Sequence, residues 1–139
     1  MTRRACPLVL FLSVTLWFAT TVAAAEWPML SSSDINEWAN TLRPYKVTVV
    51  SIIFDKADEK AVTAIGKAMK QAGWPVQKLV GEQGPIGTGI ADSRFSEPAA
   101  IALQALFEKQ FGVRPEIKTY AVRDGYGFIE LYIGRRTNR

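Results

Sequence analysis

Hydrophobic residues recur through most of this chain at the spacing of secondary structure, and the first element they predict is a short helix. In "SSSDINEWANTLRP", one side of the helix would be apolar, formed by Ile35, Trp38, Ala39 and Leu42. Asp34 with Glu37 three residues later has the spacing of a capping box. We therefore predict a helix with Asp34 as its N-cap, ending before Pro44.

The next segments predict a strand, a helix and a second strand. "YKVTVVSIIF" (Tyr45–Phe54) is apolar at nearly every position and rich in β-branched residues, which is typical of a central strand covered on both faces. The following helix starts with acidic residues, stops at Gly73 and has an apolar side formed by Val62, Ile65, Met69 and Ala72. "WPVQKLVG" (Trp74–Gly81) predicts the second strand.

The last part of the chain predicts three strands and one helix. "TGIADSRF" (Thr88–Phe95) would be a third strand, which we expect at an edge because of its glycine. A helix follows from Ser96 to Gly112, with Pro98 tolerated in its first turn. Then "EIKTYAV" and "GFIELYIG" flank "RDGY", and Asp-Gly between two such runs is a strong hairpin signal. We expect these two strands to pair antiparallel.

This order of elements predicts the fold class. The prediction is an α/β (α+β) two-layer sandwich, ferredoxin-like βαββαβ, with an extra C-terminal hairpin strand and a short N-terminal helix. Two helices would cover one face of a mostly antiparallel sheet.

The N-terminal residues have the pattern of an export signal. Arg3 and Arg4 give a basic start, Pro7–Thr20 is mostly apolar, and Val22–Ala25 offers small residues for cleavage. We predict a signal peptide at residues 1–25, a single domain at 26–139, and a periplasmic or secreted location. Retention as an uncleaved anchor is the alternative, although the apolar stretch is shorter than the roughly 20 residues of a spanning helix. After cleavage, no membrane span is expected.

Composition excludes several classes of chemistry. The chain has no histidine, and its one cysteine, Cys6, lies in the predicted signal. Neither a Ser-His-Asp nor a Cys-His nucleophile can form in the mature domain, and we predict no disulfide, metal site or cofactor. Without Arg3 and Arg4, the chain has 15 basic and 13 acidic residues. The resulting net charge of about +2 is too small to indicate a nucleic-acid partner.

The remaining candidates for catalysis are carboxylates. Asp55, Asp58 and Glu59 lie where a predicted strand ends and a helix begins, and helix capping is the simpler explanation of all three. The alternative is an enzyme in which Asp55, Asp58 or Asp92 acts as acid or base. The glycine run lacks the lysine of a phosphate-binding P-loop, so we interpret it as a turn; it comprises Gly81, Gly84, Gly87 and Gly89.

The final strand offers the best candidate for binding. Its alternation puts Phe128, Glu130 and Tyr132 on one face, opposite an aliphatic face better suited to the core, formed by Ile129, Leu131 and Ile133. Phe128 and Tyr132, together with Arg135 and Arg136 beyond the strand, form a candidate binding surface for an anionic or glycan partner. The alternative is that the arginines only solubilise the end of the strand.

Four short motifs carry a resemblance to a known kind of domain: "AGWPV" (Ala72–Val76), "GTGIAD" (Gly87–Asp92), "EPAAIALQALF" (Glu97–Phe107) and "IELYIGRR" (Ile129–Arg136). Over roughly residues 46–136 they resemble an uncharacterised bacterial envelope α/β module that is often joined to membrane segments. The chain is also weakly similar to the ferredoxin-like domains of the sporulation-related repeat and of the LytR carboxy terminus, from which the extra hairpin departs. The resemblance implies no catalytic residues.

These observations favour an exported, non-enzymatic binding or assembly domain of the bacterial cell envelope. Its partner would be an envelope protein or a cell-wall glycan. The alternatives are a small envelope enzyme that uses carboxylates, and an accessory or inhibitor subunit of another envelope protein.

Overall fold

The computed structural model describes residues 27–81, 88–122 and 125–134, which contain three α-helices, two short 3-10 turns and five strands. In chain order the elements are α1 (Ser32–Leu42), β1 (Val49–Phe54), α2 (Glu59–Gln71), β2 (Val76–Val80), β3 (Gly89–Ser93), α3 (Glu97–Phe111), β4 (Glu116–Tyr120) and β5 (Phe128–Ile133). The predicted signal peptide, Gly84, Gly87 and Asp124 lie outside the described residues.

The five strands form one mixed sheet in the order β2-β1-β5-β3-β4. Two βαβ units build its halves: β1 pairs parallel with β2 around α2, and β3 pairs parallel with β4 around α3. The last strand, β5, lies between these units, parallel to β1 and antiparallel to β3. Because β1 and β3 do not pair with each other, β5 joins the two halves into one sheet.

This order corrects the predicted ferredoxin-like topology. The predicted hairpin is wrong, because β3 lies between β4 and β5. Three of the four strand pairings are parallel, so the sheet is not mostly antiparallel. Nor is β3 an edge strand, since β2 and β4 occupy the edges. The physical reason is burial. A central position in the sheet allows the inward side chains of β5 to be fully buried. The charged side chains of β4 are compatible with an edge position, where they reach solvent.

Alternate residues of the strands face a single hydrophobic core shared with the helices. Val50, Ile52, Phe54, Ile129, Leu131 and Ile133 are fully or almost fully buried, whereas the intervening residues of β1 and β5 are only half-buried. The predicted burial of β1 on both faces is therefore wrong. Trp38 of α1 packs edge-on against Phe107 of α3, and Gly66 of α2 lies against β1 and β2.

The helix boundaries agree with the sequence except at the start of α1. Its buried residues are the predicted ones, but the N-cap is Ser31 and not Asp34. The Ser31 hydroxyl accepts from the Asp34 amide at 3.1 Å, and the Asp34 carboxylate accepts from the Ser31 amide at 3.0 Å. Hydrogen bonding of the carboxylate to the backbone amide and then to the side chain of Ser31 lowers the pKa of Asp34. The ends of α2 and α3 are as predicted, at glycines with positive φ, Gly73 and Gly112.

The strand order can be tested by pairwise cysteine substitution in a Cys6→Ser background. Ser51 of β1 and Glu130 of β5 are register partners, so their Cα atoms are about 5 Å apart, within reach of a disulfide. We expect Ser51→Cys with Glu130→Cys to form an intramolecular disulfide under mild oxidation, detected by mass spectrometry.

The matched control is Lys118→Cys with Glu130→Cys. Ala91 of β3 lies between these positions, which puts them about 10 Å apart, too far for a disulfide. A disulfide between positions 118 and 130, and none between 51 and 130, would contradict the strand order.

Candidate functional site

The face of the sheet opposite the core carries a mixed set of aromatic, aliphatic and polar side chains that do not belong to the core cluster. We call it the open face, and it comprises Val49, Ser51, Ile53, Gln77, Leu79, Phe128, Glu130 and Tyr132. Strand register places these residues together, because parallel partners such as Ser51 and Glu130 project from the same side. Among the described residues, no helix belongs to this face.

A groove of about 350 Å³ lies on the open face, at the end where β1 and β5 begin. Val122, Tyr126 and Phe128 form its apolar wall, while Ser51, Gln77 and Glu130 supply polar groups, beside Val49 and Ile129. The rings of Tyr126 and Phe128 are 6.3 Å apart and inclined at 38°. Its volume is at the lower end of ligand pockets, which are about 300–1,000 Å³.

The polar groups of the groove lie in one row across three neighbouring strands. Gln77, Ser51 and Glu130 are register neighbours on β2, β1 and β5. The Gln77 side-chain amide donates to the Ser51 hydroxyl at 2.9 Å, and the Glu130 carboxylate accepts from the Tyr132 hydroxyl at 2.6 Å. The bond to Glu130, with burial and the carboxylate charge, raises the pKa of Tyr132 to about 12. Tyr132 therefore stays a neutral donor at physiological pH.

Two buried serines fix the backbone of the aromatic wall. The Ser93 hydroxyl donates to the Tyr126 carbonyl oxygen at 2.7 Å and accepts from the Phe128 amide at 3.3 Å. The Ser96 hydroxyl donates to the Phe128 carbonyl oxygen at 2.6 Å. On the other side, the Thr48 amide donates to the Gly127 carbonyl oxygen. The segment before β5 is thus held between β3 and β1, which positions both aromatic rings.

The structure brings together only part of the predicted binding surface. Phe128 and Tyr132 lie on the open face, separated by Glu130, whereas Arg135 and Arg136 lie outside the described residues. Tyr126, which was not among the predicted site residues, contacts Phe128 instead. Its position two residues before Phe128 continues the same alternation, so the sequence contains a signal for it. Ser93 and Ser96 were also missed, although their i, i+3 spacing before a helix is that of a capping box.

The carboxylates considered for catalysis lie in two separate places, because Asp55 and Asp58 share the turn before α2 and Asp92 belongs to β3. Asp55 caps the turn before α2, accepting from the Ala57 amide at 3.3 Å. Asp92 lies on the core side of β3, where it is fully buried. By register it is level with Val50, while Asp55 follows the far end of β1, about 15 Å away along the strands. Within the described ranges, no group of three or more His, Cys, Asp or Glu residues could hold a metal ion.

The buried carboxyl of Asp92 is electrostatically unfavourable. Neither of its oxygens makes a hydrogen bond of ordinary geometry. Burial raises the pKa of Asp92, and the nearby charge of Glu97 in the first turn of α3 adds to this rise. The Thr119 hydroxyl, on the paired position of β4, offsets part of it. The folded state therefore favours the neutral form of Asp92.

The raised pKa of Asp92 predicts a specific pH dependence of stability. Because the folded state binds this proton more tightly than the unfolded chain, the free energy of unfolding should decrease as pH rises from the ordinary value of 3.8 through the raised pKa. Asp92→Asn removes this contribution. In urea unfolding, we expect the free energy of unfolding of Asp92→Asn to rise relative to that of the wild type as pH increases through that window.

Asp34→Asn is the matched control, with the opposite sign. The lowered pKa of Asp34 gives a contribution that is present above 3.8 and lost as pH falls through the lowered value. Wild type and Asp92→Asn with parallel pH profiles would contradict the effect assigned to Asp92.

Comparisons of this chain with protein-family models, with curated proteins and with solved structures gave no match. The resemblance to an envelope module therefore stays a prediction. Across the part of the chain that the structure describes, none of the helices combines the length and the apolar character needed to cross a membrane.

Proposed function

We propose that this chain is an exported, non-enzymatic binding domain of the bacterial cell envelope, and that the groove on the open face holds its partner. One observation carries the proposal: the rings of Tyr126 and Phe128 stand beside a row of hydrogen-bonding side chains, outside the core. Burial in the core accounts for the opposite face of the sheet, but not for this aromatic pair. The fixed backbone at Gly127 supports a preformed surface.

The side chains of the groove favour a neutral, polar partner. Aromatic rings offer apolar faces for stacking, and the Gln77 amide and Glu130 carboxylate offer hydrogen bonds at their edge. Among the described residues that line the groove, Glu130 is the one with an ionisable carboxylate, and its negative charge would repel an anionic partner. A cell-wall glycan fits this chemistry, and a polar segment of an envelope protein is the other partner within the proposal. The expectation of an anionic partner rested on Arg135 and Arg136, which require a separate test.

The positions of the carboxylates support binding over catalysis. Asp92 is fully buried and far from Asp55, so these two carboxylates cannot act as a pair on one substrate. Glu130 faces the groove, but Tyr132 already occupies one of its oxygens.

The proposal is tested by retention on purified cell-wall sacculi and by capture from envelope extract. The full chain is compared with a Tyr126→Ala/Phe128→Ala variant. Because each aromatic contact contributes roughly 0.5–1.5 kcal/mol beyond burial, losing both should weaken binding about tenfold or more. A second variant, Arg135→Ala/Arg136→Ala, should bind like the wild type.

The matched control is Ile101→Ala/Met29→Ala, which removes two exposed side chains outside the groove. Equal retention of the wild-type chain and the Tyr126→Ala/Phe128→Ala variant would contradict the proposed site. Loss of binding only from the arginine variant would move the site to the C-terminal end of the chain.

A further inference from the structure

The two edges of the sheet differ in how well they are protected against pairing with another strand. At the β4 edge, Pro115 precedes the strand, and Glu116 and Lys118 place exposed charges on it. At the β2 edge, Leu79 and Val80 are 46% and 57% exposed, on opposite sides of the strand. All five residues of β2 pair in continuous register with β1, without a bulge. The β2 edge therefore keeps a regular, apolar pairing surface.

The single charged residue of β2 does not protect this edge. Lys78 projects on the core side of the sheet, where its ammonium group donates to the Thr63 hydroxyl of α2 at 3.0 Å. Edge lysines discourage pairing when they extend into the path of an incoming strand. Held against α2, Lys78 leaves that path open.

A basic rim borders the same edge, formed by Lys67, Lys70 and Lys78. Gly66 packs against Val76, and Thr63 contacts Lys78, which identifies the side of α2 that faces β2. Lys67 and Lys70 follow Thr63 by four and seven residues, so they lie on or beside that side. All three lysines are exposed. Among the described residues, the ion pairs lie elsewhere, between Lys109 and Glu37 and between Arg114 and Glu108.

We propose that β2 accepts an extended, acidic segment of a partner protein as a sixth strand of the sheet. The backbone of β2 would supply the ladder of hydrogen bonds, as in other cases of strand addition. Side chains of the incoming strand alternate between the two faces. The side chains on the core side of the incoming strand would be acidic, because they contact Lys70 and Lys78. The side chains on the other side would be apolar, because they contact Leu79.

Charge decides against a second copy of this chain as the occupant. In a two-fold pairing of β2 with β2, the rim of one copy would approach the rim of the other. Three positively charged lysines on each side would then repel one another. An acidic segment instead neutralises the rim, and its affinity should fall with rising salt. β2 also supplies Gln77 to the groove, but this proposal uses the outer backbone edge of β2 and the lysines on the core side of the sheet. The lysine variants described below therefore test it without altering the aromatic wall of the groove.

The test uses the full chain and a capped ten-residue peptide of alternating valine and glutamate, which places all acidic groups on one side of a strand. The control probe alternates valine and lysine. Binding is measured by fluorescence anisotropy of labelled peptide. Solution NMR of the unmodified chain then identifies the amides whose signals shift. We expect the acidic peptide to bind, with the largest shifts in β2, and the basic peptide to show no binding.

Two charge-reversal variants separate the rim from net charge. Lys70→Glu/Lys78→Glu should weaken the acidic peptide about tenfold or more, from lost attraction and added repulsion. Arg94→Glu/Lys118→Glu changes net charge equally at exposed positions after β3 and on β4, on the other half of the sheet, and should bind within about twofold of the wild type.

Absence of binding by the acidic peptide, shifts centred outside β2, or equal effects of the two variants would overturn the proposal. So would a dimer paired through β2, detected by analytical ultracentrifugation and by NMR shifts in β2 on dilution.

Discussion

The insertion of β5 between two βαβ units is the constraint on which the rest of the structure depends. Each half of the sheet is built from local parallel pairs, and within the described sheet the two halves are joined only by the final strand. Ile129, Leu131 and Ile133 are fully buried there. Burial of each such side chain contributes about 1.5–3 kcal/mol, so together they are comparable with a domain's entire net stability of about 5–15 kcal/mol. The C-terminal strand therefore holds the two halves of the sheet together.

The same strand creates the candidate site. Because side chains alternate along β5, the residues between its three core positions must project onto the open face, and Phe128, Glu130 and Tyr132 do so. The segment leading into β5 is fixed by Ser93 and Ser96, which are buried polar residues at the end of β3 and the start of α3. Stability and site geometry are thus coupled through one short stretch of chain. Asp92, next to Ser93, opposes that stability through its buried carboxyl.

The sequence was informative about local structure and about which face of each element is buried. The helical spacing around Trp38 and Met69, the glycines that end α2 and α3, and the alternation along β5 all follow from period and backbone geometry. Strand order could not be predicted from these local patterns. The Asp-Gly signal before β5 describes a local turn, and it cannot report that β3, more than 30 residues away in sequence, lies between the two strands it was expected to join. Long-range burial decided the order.

For the same reason, the candidate site could be predicted only in part from the sequence. Phe128 and Tyr132 could be placed on one face of one strand, but Gln77 and Ser51 join them through parallel pairings that local sequence patterns do not report. The spacing of Ser93 and Ser96 indicates a helix start, while their bonds to Tyr126 and Phe128 arise only when β5 is in place. The contrast between the two sheet edges likewise depends on knowing which strands are at the edges.

The most direct test of the proposed binding face is site-specific photo-cross-linking in intact cells. Benzoylphenylalanine replaces Tyr126, on the wall of the groove, or Ile101, on the exposed side of α3. After irradiation, the account predicts that only the protein labelled at position 126 forms a specific adduct with an envelope protein or with cell-wall glycan. An adduct formed from position 101, with none from position 126, would contradict it.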